Sequence, residues 1–282
     1  MYTVFKGDLM NKYNDFKILD IDFECSSCKK VCNDNSKIPV KRIIEKLDDF
    51  FNFNDLLGAE KLLEFWQKEA KAKSDLKGEL SVVNEMLGLY RKTNNPQKAD
   101  NAISRACELL ELTNNSSTLS GATIMLNTAT TCKAFGKLEK AIPLYKKASE
   151  IYHRVLPKDD LKIAALYNNY ATALVDLEDF AKAEELYIKA IKITEKDLKS
   201  LLDCAVTYVN LAHLYEQKDG IEAKDIEKSL SKAEEIFENK NIERNSYYAF
   251  VSEKCAPSFD YFGYFIFANE LYKRSREIYE RA

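Results

Sequence analysis

Glycine and proline are scarce, at eight and five in 282 residues. So few helix breakers exclude a loop-rich or strand-and-turn architecture and favour long helices joined by short turns. No apolar run approaches the 18 or so residues a membrane span needs. The first residues, "MYTVFKGDLMNKYNDF", lack a basic flank followed by an apolar stretch, so no secretory signal is expected. Charge of one sign is missing too. The balance of 42 basic and 45 acidic residues gives a net −3, which argues against nucleic acid or an anionic lipid surface as partner. Histidine occurs twice, at His153 and His213, 60 positions apart. The phosphate-loop, dinucleotide, zinc-protease and serine-hydrolase signatures are all absent. No enzyme chemistry and no cofactor are therefore expected.

Seven cysteines are present, an odd number. Cys107, Cys132, Cys204 and Cys255 fall in helical patterns, which suits free thiols and a cytoplasmic location. Cys25 and Cys28 have zinc-like spacing, with Cys32 beyond, but no second pair follows to complete a tetrahedral site. The reading is thiols rather than metal.

What is abundant is repetition. Ala99 opens "ADNAISRA", Ala141 opens "AIPLYKKA" and Ala183 opens "AEELYIKA", at intervals of 42 residues. Ala59 lies 40 before Ala99, Ile226 lies 43 after Ala183, and Ala268 lies 42 beyond that. The chain thus carries about six units. A second small residue precedes the anchor by twelve positions at Ala129, Ala171 and Ala256, and by fourteen at Ala212, where the turn "EQKDGIEAKD" is read as two residues longer. Leu47 and Leu87 hold that slot in the first two units. A third small residue follows the anchor by seven at Ala106, Ala148, Ala190, Ala233 and Ser275, and a tyrosine follows by four at Tyr145, Tyr187 and Tyr272. Small side chains let two helices approach, and the aromatic one turn on fills the flanking space. Each unit reads as helix A, a turn and helix B. Asn95-Pro96 is a cap and first-turn proline for one B helix. One such hairpin cannot bury its apolar face alone, whereas stacked hairpins can.

This pattern resembles the tetratricopeptide repeat family over about Lys37 to Ala282. The 42-residue spacing and the phrase "LYNNYATAL" are similar to the repeats of kinesin light chains, although no heptad coiled coil precedes them here. The resemblance implies an all-α fold, a right-handed α-solenoid of about six helix hairpins. Its concave groove would be lined by the A helices and used to bind peptides or protein segments. Residues 1–36 do not fit the repeat and form a separate N-terminal arm. There Leu19, Ile21, Phe23 and Cys25 alternate with Asp20, Asp22 and Glu24, a strand-like period of two. That arm could lie along the groove as an internal plug.

Asparagines recur inside the A helices, although each costs a helix interior about 0.6 kcal/mol relative to alanine. On a helical wheel Asn127, Asn169 and Asn210 occupy one place in three successive units, opposite the small residues. A row of amides can pair with the unpaired N–H and C=O groups of an extended peptide. It can equally pair within itself as a structural ladder. The candidate peptide-binding groove comprises this row, with Asn168, Thr130, Thr172 and His213 beside it. Arg91 and Lys133 supply positive charge, Asp176 and Glu216 negative. A lysine–asparagine clamp for chaperone C-termini is not seen. In the last unit "SFDYFGYFIFANELY", from Ser258 to Tyr272, is the most aromatic stretch; it is expected to supply core, and a homodimer surface through the Phe259–Tyr272 region is one reading of the remainder. Pro257 in its A helix is read as a kink or a late start. Three functions fit: a non-catalytic scaffold binding a segment in the groove, a peptide-sensing regulatory protein, and an assembly module dimerising through its C-terminal repeat.

Overall fold

Hydrogen-bonding side chains stand where the chain must enter a helix. Asp55 accepts from the Gly58 amide, Asn95 from Lys98, Thr118 from Gly121 and Asn245 from both Tyr247 and Tyr248. Each satisfies a donor that the first helical turn leaves unpaired. Helix exits use the left-handed region, at Asn54, Asn94 and Gly136 among others. Asparagine and glycine tolerate that conformation best. Short turns of this kind fold each helix back on its neighbour.

The structure, a computed structural model, describes residues 36–281 apart from 219 and 221. The N-terminal arm, with Cys25, Cys28 and Cys32, lies outside the described residues. Twelve α-helices occur among those described. They are α1 Val40–Asn52, α2 Leu56–Ala72, α3 Leu76–Lys92, α4 Pro96–Leu112, α5 Leu119–Ala134, α6 Leu138–Val155, α7 Leu161–Val175, α8 Phe180–Thr194, α9 Leu201–Gln217, α10 Ala223–Phe237, α11 Ser246–Tyr261 and α12 Phe265–Tyr279. Taken in pairs they make six hairpins, so the fold is an all-α helical-repeat solenoid, as the period of small residues predicts. The chain divides between Val155 and Leu156 into two compact units. Each holds three hairpins.

The small residues are where close packing requires them. Ala99, Ala141 and Ala183 on the B helices, and Ala129, Ala171 and Ala212 on the A helices, are all fully buried. Tyr145 and Tyr187 fill the space beside them. In the first unit Glu79 is buried under a bidentate pair with Arg105, at 2.8 and 2.6 Å. In the second unit an aromatic cluster of Phe237, Tyr248, Phe259 and Phe267 closes the core, with Phe259 and Phe267 edge-on at 4.7 Å.

Two details refine the expectations. The turn joining α9 and α10 spans residues 218–222, two more than the three at 135–137, as the displaced anchor requires. Helix α11 does not start late: it begins at Ser246, capped by Asn245, and runs through Pro257. The ring removes one backbone donor there, and the turns on either side, anchored by buried Cys255, Ala256 and Phe259, hold the helix together.

Candidate peptide-binding face

The A helices α3, α5 and α7 are buried almost all round. Every residue from Gly78 to Tyr90 in α3, and from Gly121 to Lys133 in α5, is shielded from solvent. The wheel placed Asn127 opposite the packed side, and its exposure is nevertheless 5%; Asn169 has 4% and Asn210 6%. An amide so enclosed must find partners, because a buried polar group left unpaired costs about 1–3 kcal/mol.

Those partners come largely from other amides. In the first unit Asn127 Nδ2 donates to Asn84 Oδ1 at 2.8 Å, and Asn84 Nδ2 donates to Glu85 Oε1 at 2.9 Å. In the second unit Asn210 Nδ2 donates to Asn168 Oδ1 at 3.0 Å, and Asn168 Nδ2 donates to Asn169 Oδ1 at 3.2 Å. Each unit therefore contains a relay that crosses from one A helix to the previous one and ends on an acceptor in the next residue. The sequence reading missed Asn84 and Glu85. The signal was available: Asn84 precedes Asn127 by 43 residues, as Asn168 precedes Asn210 by 42.

The remaining candidates divide. Arg91 reaches across from α3 to α5, where Nη1 donates to the Asn127 carbonyl at 3.2 Å and to Thr131 Oγ1 at 2.7 Å. Lys133 is buried on α5. Thr172 donates to the Asn169 carbonyl at 2.8 Å and so sits on the asparagine side of α7. Thr130 turns into its own hairpin, where its hydroxyl accepts from Tyr145 at 3.1 Å. Asp176 is exposed at the end of α7. His213 Nε2 lies 2.8 Å from Ser258 Oγ on α11, with the Phe262 and Tyr261 rings at 4.9 and 5.8 Å. Burial pushes this imidazole down to about 4, so it is neutral at pH 7 and acts as a hydrogen-bonding wedge. Glu216, near the end of α9, accepts from the Tyr261 hydroxyl. His153 is exposed and bonded within its own helix to Ser149.

Chemically the relays do not use up the amides. Each asparagine side chain carries one carbonyl oxygen and two N–H donors. The bonds above leave Asn127 Oδ1 and Asn210 Oδ1 unused as acceptors and Asn169 Nδ2 unused as a donor. The thiols offer no comparable chemistry. Burial raises Cys132 and Cys255 to about 12, far from the thiolate that reactivity needs.

Residues 162–239 match a family model described as tetratricopeptide repeat. Among solved structures, the chain is similar to BtubC (BKLC) from P. vanneervenii, at 21% identity over 70% of this chain and 79% of that one, with a TM-score of 0.57. That likeness concerns the fold. The nearly identical TPR-like repeats of a Podosopora anserina protein named for the kinesin light chain align over 71% of this chain and 94% of theirs, at 17% identity and a TM-score of 0.48. A tetratricopeptide repeat protein from Parabacteroides merdae aligns over 84% and 98%, at 18% identity and a TM-score of 0.39. At those scores neither adds to the argument. The sequence matches none of the curated proteins.

Proposed function

We propose that this chain, an array of tetratricopeptide-repeat hairpins, is a non-catalytic scaffold that binds an extended peptide or protein segment along the asparagine-bearing side of its A helices. The observation that carries the reading is the pattern of unused amide groups. A helix-buried asparagine costs stability, and a relay needs only one donor and one acceptor from each member. The acceptors left on Asn127 and Asn210 suit guest N–H groups, and the donor left on Asn169 suits a guest carbonyl. Asp176, exposed at the end of α7, and Glu216, near the end of α9, add negative charge beside the second unit's relay. The four described cysteines are free thiols, in keeping with a cytoplasmic setting.

Photo-crosslinking in cells tests this. A crosslinking side chain in place of Asp176, at the exposed end of the face, is expected to trap a protein segment. The same group in place of Ile188, exposed on α8, is expected to trap it at least fivefold less. Equal trapping from both positions contradicts the reading.

A second reading has its own observation. In the last hairpin Tyr261, Phe265, Ile266 and Tyr272 are each exposed, Ile266 to 87%. Exposed apolar patches mark association sites, so this hairpin is proposed as a homodimer surface. Light scattering on the eluted protein should then give twice the 32.4 kDa of one chain, falling to one chain in Ile266→Glu. A monomeric wild type removes the dimer.

A further inference from the structure

The first hairpin breaks the rule that packs the others. Seven residues after the anchor, the later B helices carry Ala106, Ala148, Ala190, Ala233 and Ser275, all fully buried. The same count from Ala59 lands on Trp66, the one tryptophan of the chain. An indole is too large for a slot in which two helices close on an alanine. Trp66 is accordingly only half-buried. A cleft of about 420 Å³ remains beside it, lined by Pro39, Arg42, Ile43 and Lys46 on the α1 side and by Leu62 and Trp66 on α2.

That volume lies within the range of small-ligand pockets, about 300–1,000 Å³. The walls are largely apolar. Ile43 is buried, and the Trp66 ring is braced by Phe65, edge-on at 5.2 Å. The two cations differ. Lys46 Nζ lies 3.2 Å from Asp49 Oδ2 and 5.3 Å from the centre of the Phe50 ring, so its charge is already answered. Arg42 has no ion-pair or hydrogen-bond partner among the described residues. A guanidinium offers a planar fork of donors that fits a carboxylate through two parallel bonds.

We propose that this cleft binds a small carboxylate with an apolar body, an aryl- or alkyl-carboxylic acid. The body lies against Ile43, Leu62 and Trp66, and the carboxylate pairs with Arg42. Apolar walls favour burial of a ring or short chain. The unanswered charge at their edge favours an anion and disfavours a cation. Such an exposed pair adds modest affinity and sets the sign of the ligand. The cleft uses none of the asparagines, so the site goes beyond the scaffold reading and stands or falls apart from it.

The test is fluorescence of the full chain, in which tryptophan emission reports Trp66 alone. Phenylbutyrate and phenylbutylammonium, matched in body and opposite in charge, are titrated at neutral pH. Phenylbutyrate is expected to change the emission saturably and to bind at least fivefold more tightly than the ammonium. In Arg42→Gln that preference should fall below twofold. Lys68→Gln removes a charge from α2 outside the cleft and should leave the preference intact. Both residues are exposed, so neither variant threatens the fold. The absence of a saturable change with phenylbutyrate overturns the proposal, as does equal affinity for the two probes. A preference that survives Arg42→Gln, or that Lys68→Gln abolishes equally, overturns it too.

Discussion

Tyr145→Ala is expected to destabilise the first unit by about 3–5 kcal/mol, the range for removing a buried aromatic ring. The side chain is fully buried, and its hydroxyl bonds Thr130 inside the hairpin, so truncation leaves both a cavity and a hydroxyl without its donor. The equivalent Tyr272→Ala should cost less than about 1 kcal/mol. It occupies the same slot, four after the anchor, but is 39% exposed on the last described hairpin. Urea denaturation of the two variants separates position in the repeat from position in the array. Equal losses would mean that the tyrosine acts within its hairpin and that stacking does not set its value.

The second large effect lies in the amide relay. Asn168→Leu should cost roughly 2–4 kcal/mol, because it strands Asn210 Nδ2 and Asn169 Oδ1 together, and each buried unsatisfied group costs about 1–3 kcal/mol. Asn210→Leu strands Asn168 Oδ1 alone and should cost about half as much. The double variant Asn168→Leu/Asn210→Leu should cost less than the sum by about 1–2 kcal/mol, since it removes donor and acceptor together and puts apolar groups of similar size in their place. Strict additivity in the denaturation midpoints would show that the 3.0 Å contact contributes nothing to stability.

These two sites show what the sequence made legible. The hairpins were readable because close approach of helices can be met only by small side chains, and Ala99, Ala141 and Ala183 recur at a fixed interval. The tyrosines followed from the same geometry. The asparagine face was only partly readable. A helical wheel treats a helix as having one buried side, whereas α5 is buried all round, so an outward-drawn amide is still enclosed. Hence the relay through Asn84 was missed. Thr130, drawn beside the asparagines, is turned toward Tyr145 because one residue is 100° of rotation and the boundary between two sides is narrow. The contact of His213 with Ser258 joins residues 45 apart on different hairpins. No periodicity of either helix encodes it.

The same double variant gives the most direct test of the central claim, that the amides of the A helices hold an extended guest. Asn168→Leu/Asn210→Leu keeps helix packing while removing the carbonyl oxygen of Asn210 and the relay that orients Asn169. Capture of the segment crosslinked from Asp176 is measured with wild type and double variant at a temperature where both are folded. The account predicts at least a tenfold loss of affinity in the variant. Undiminished capture by a folded double variant would assign the asparagines to structure and contradict it.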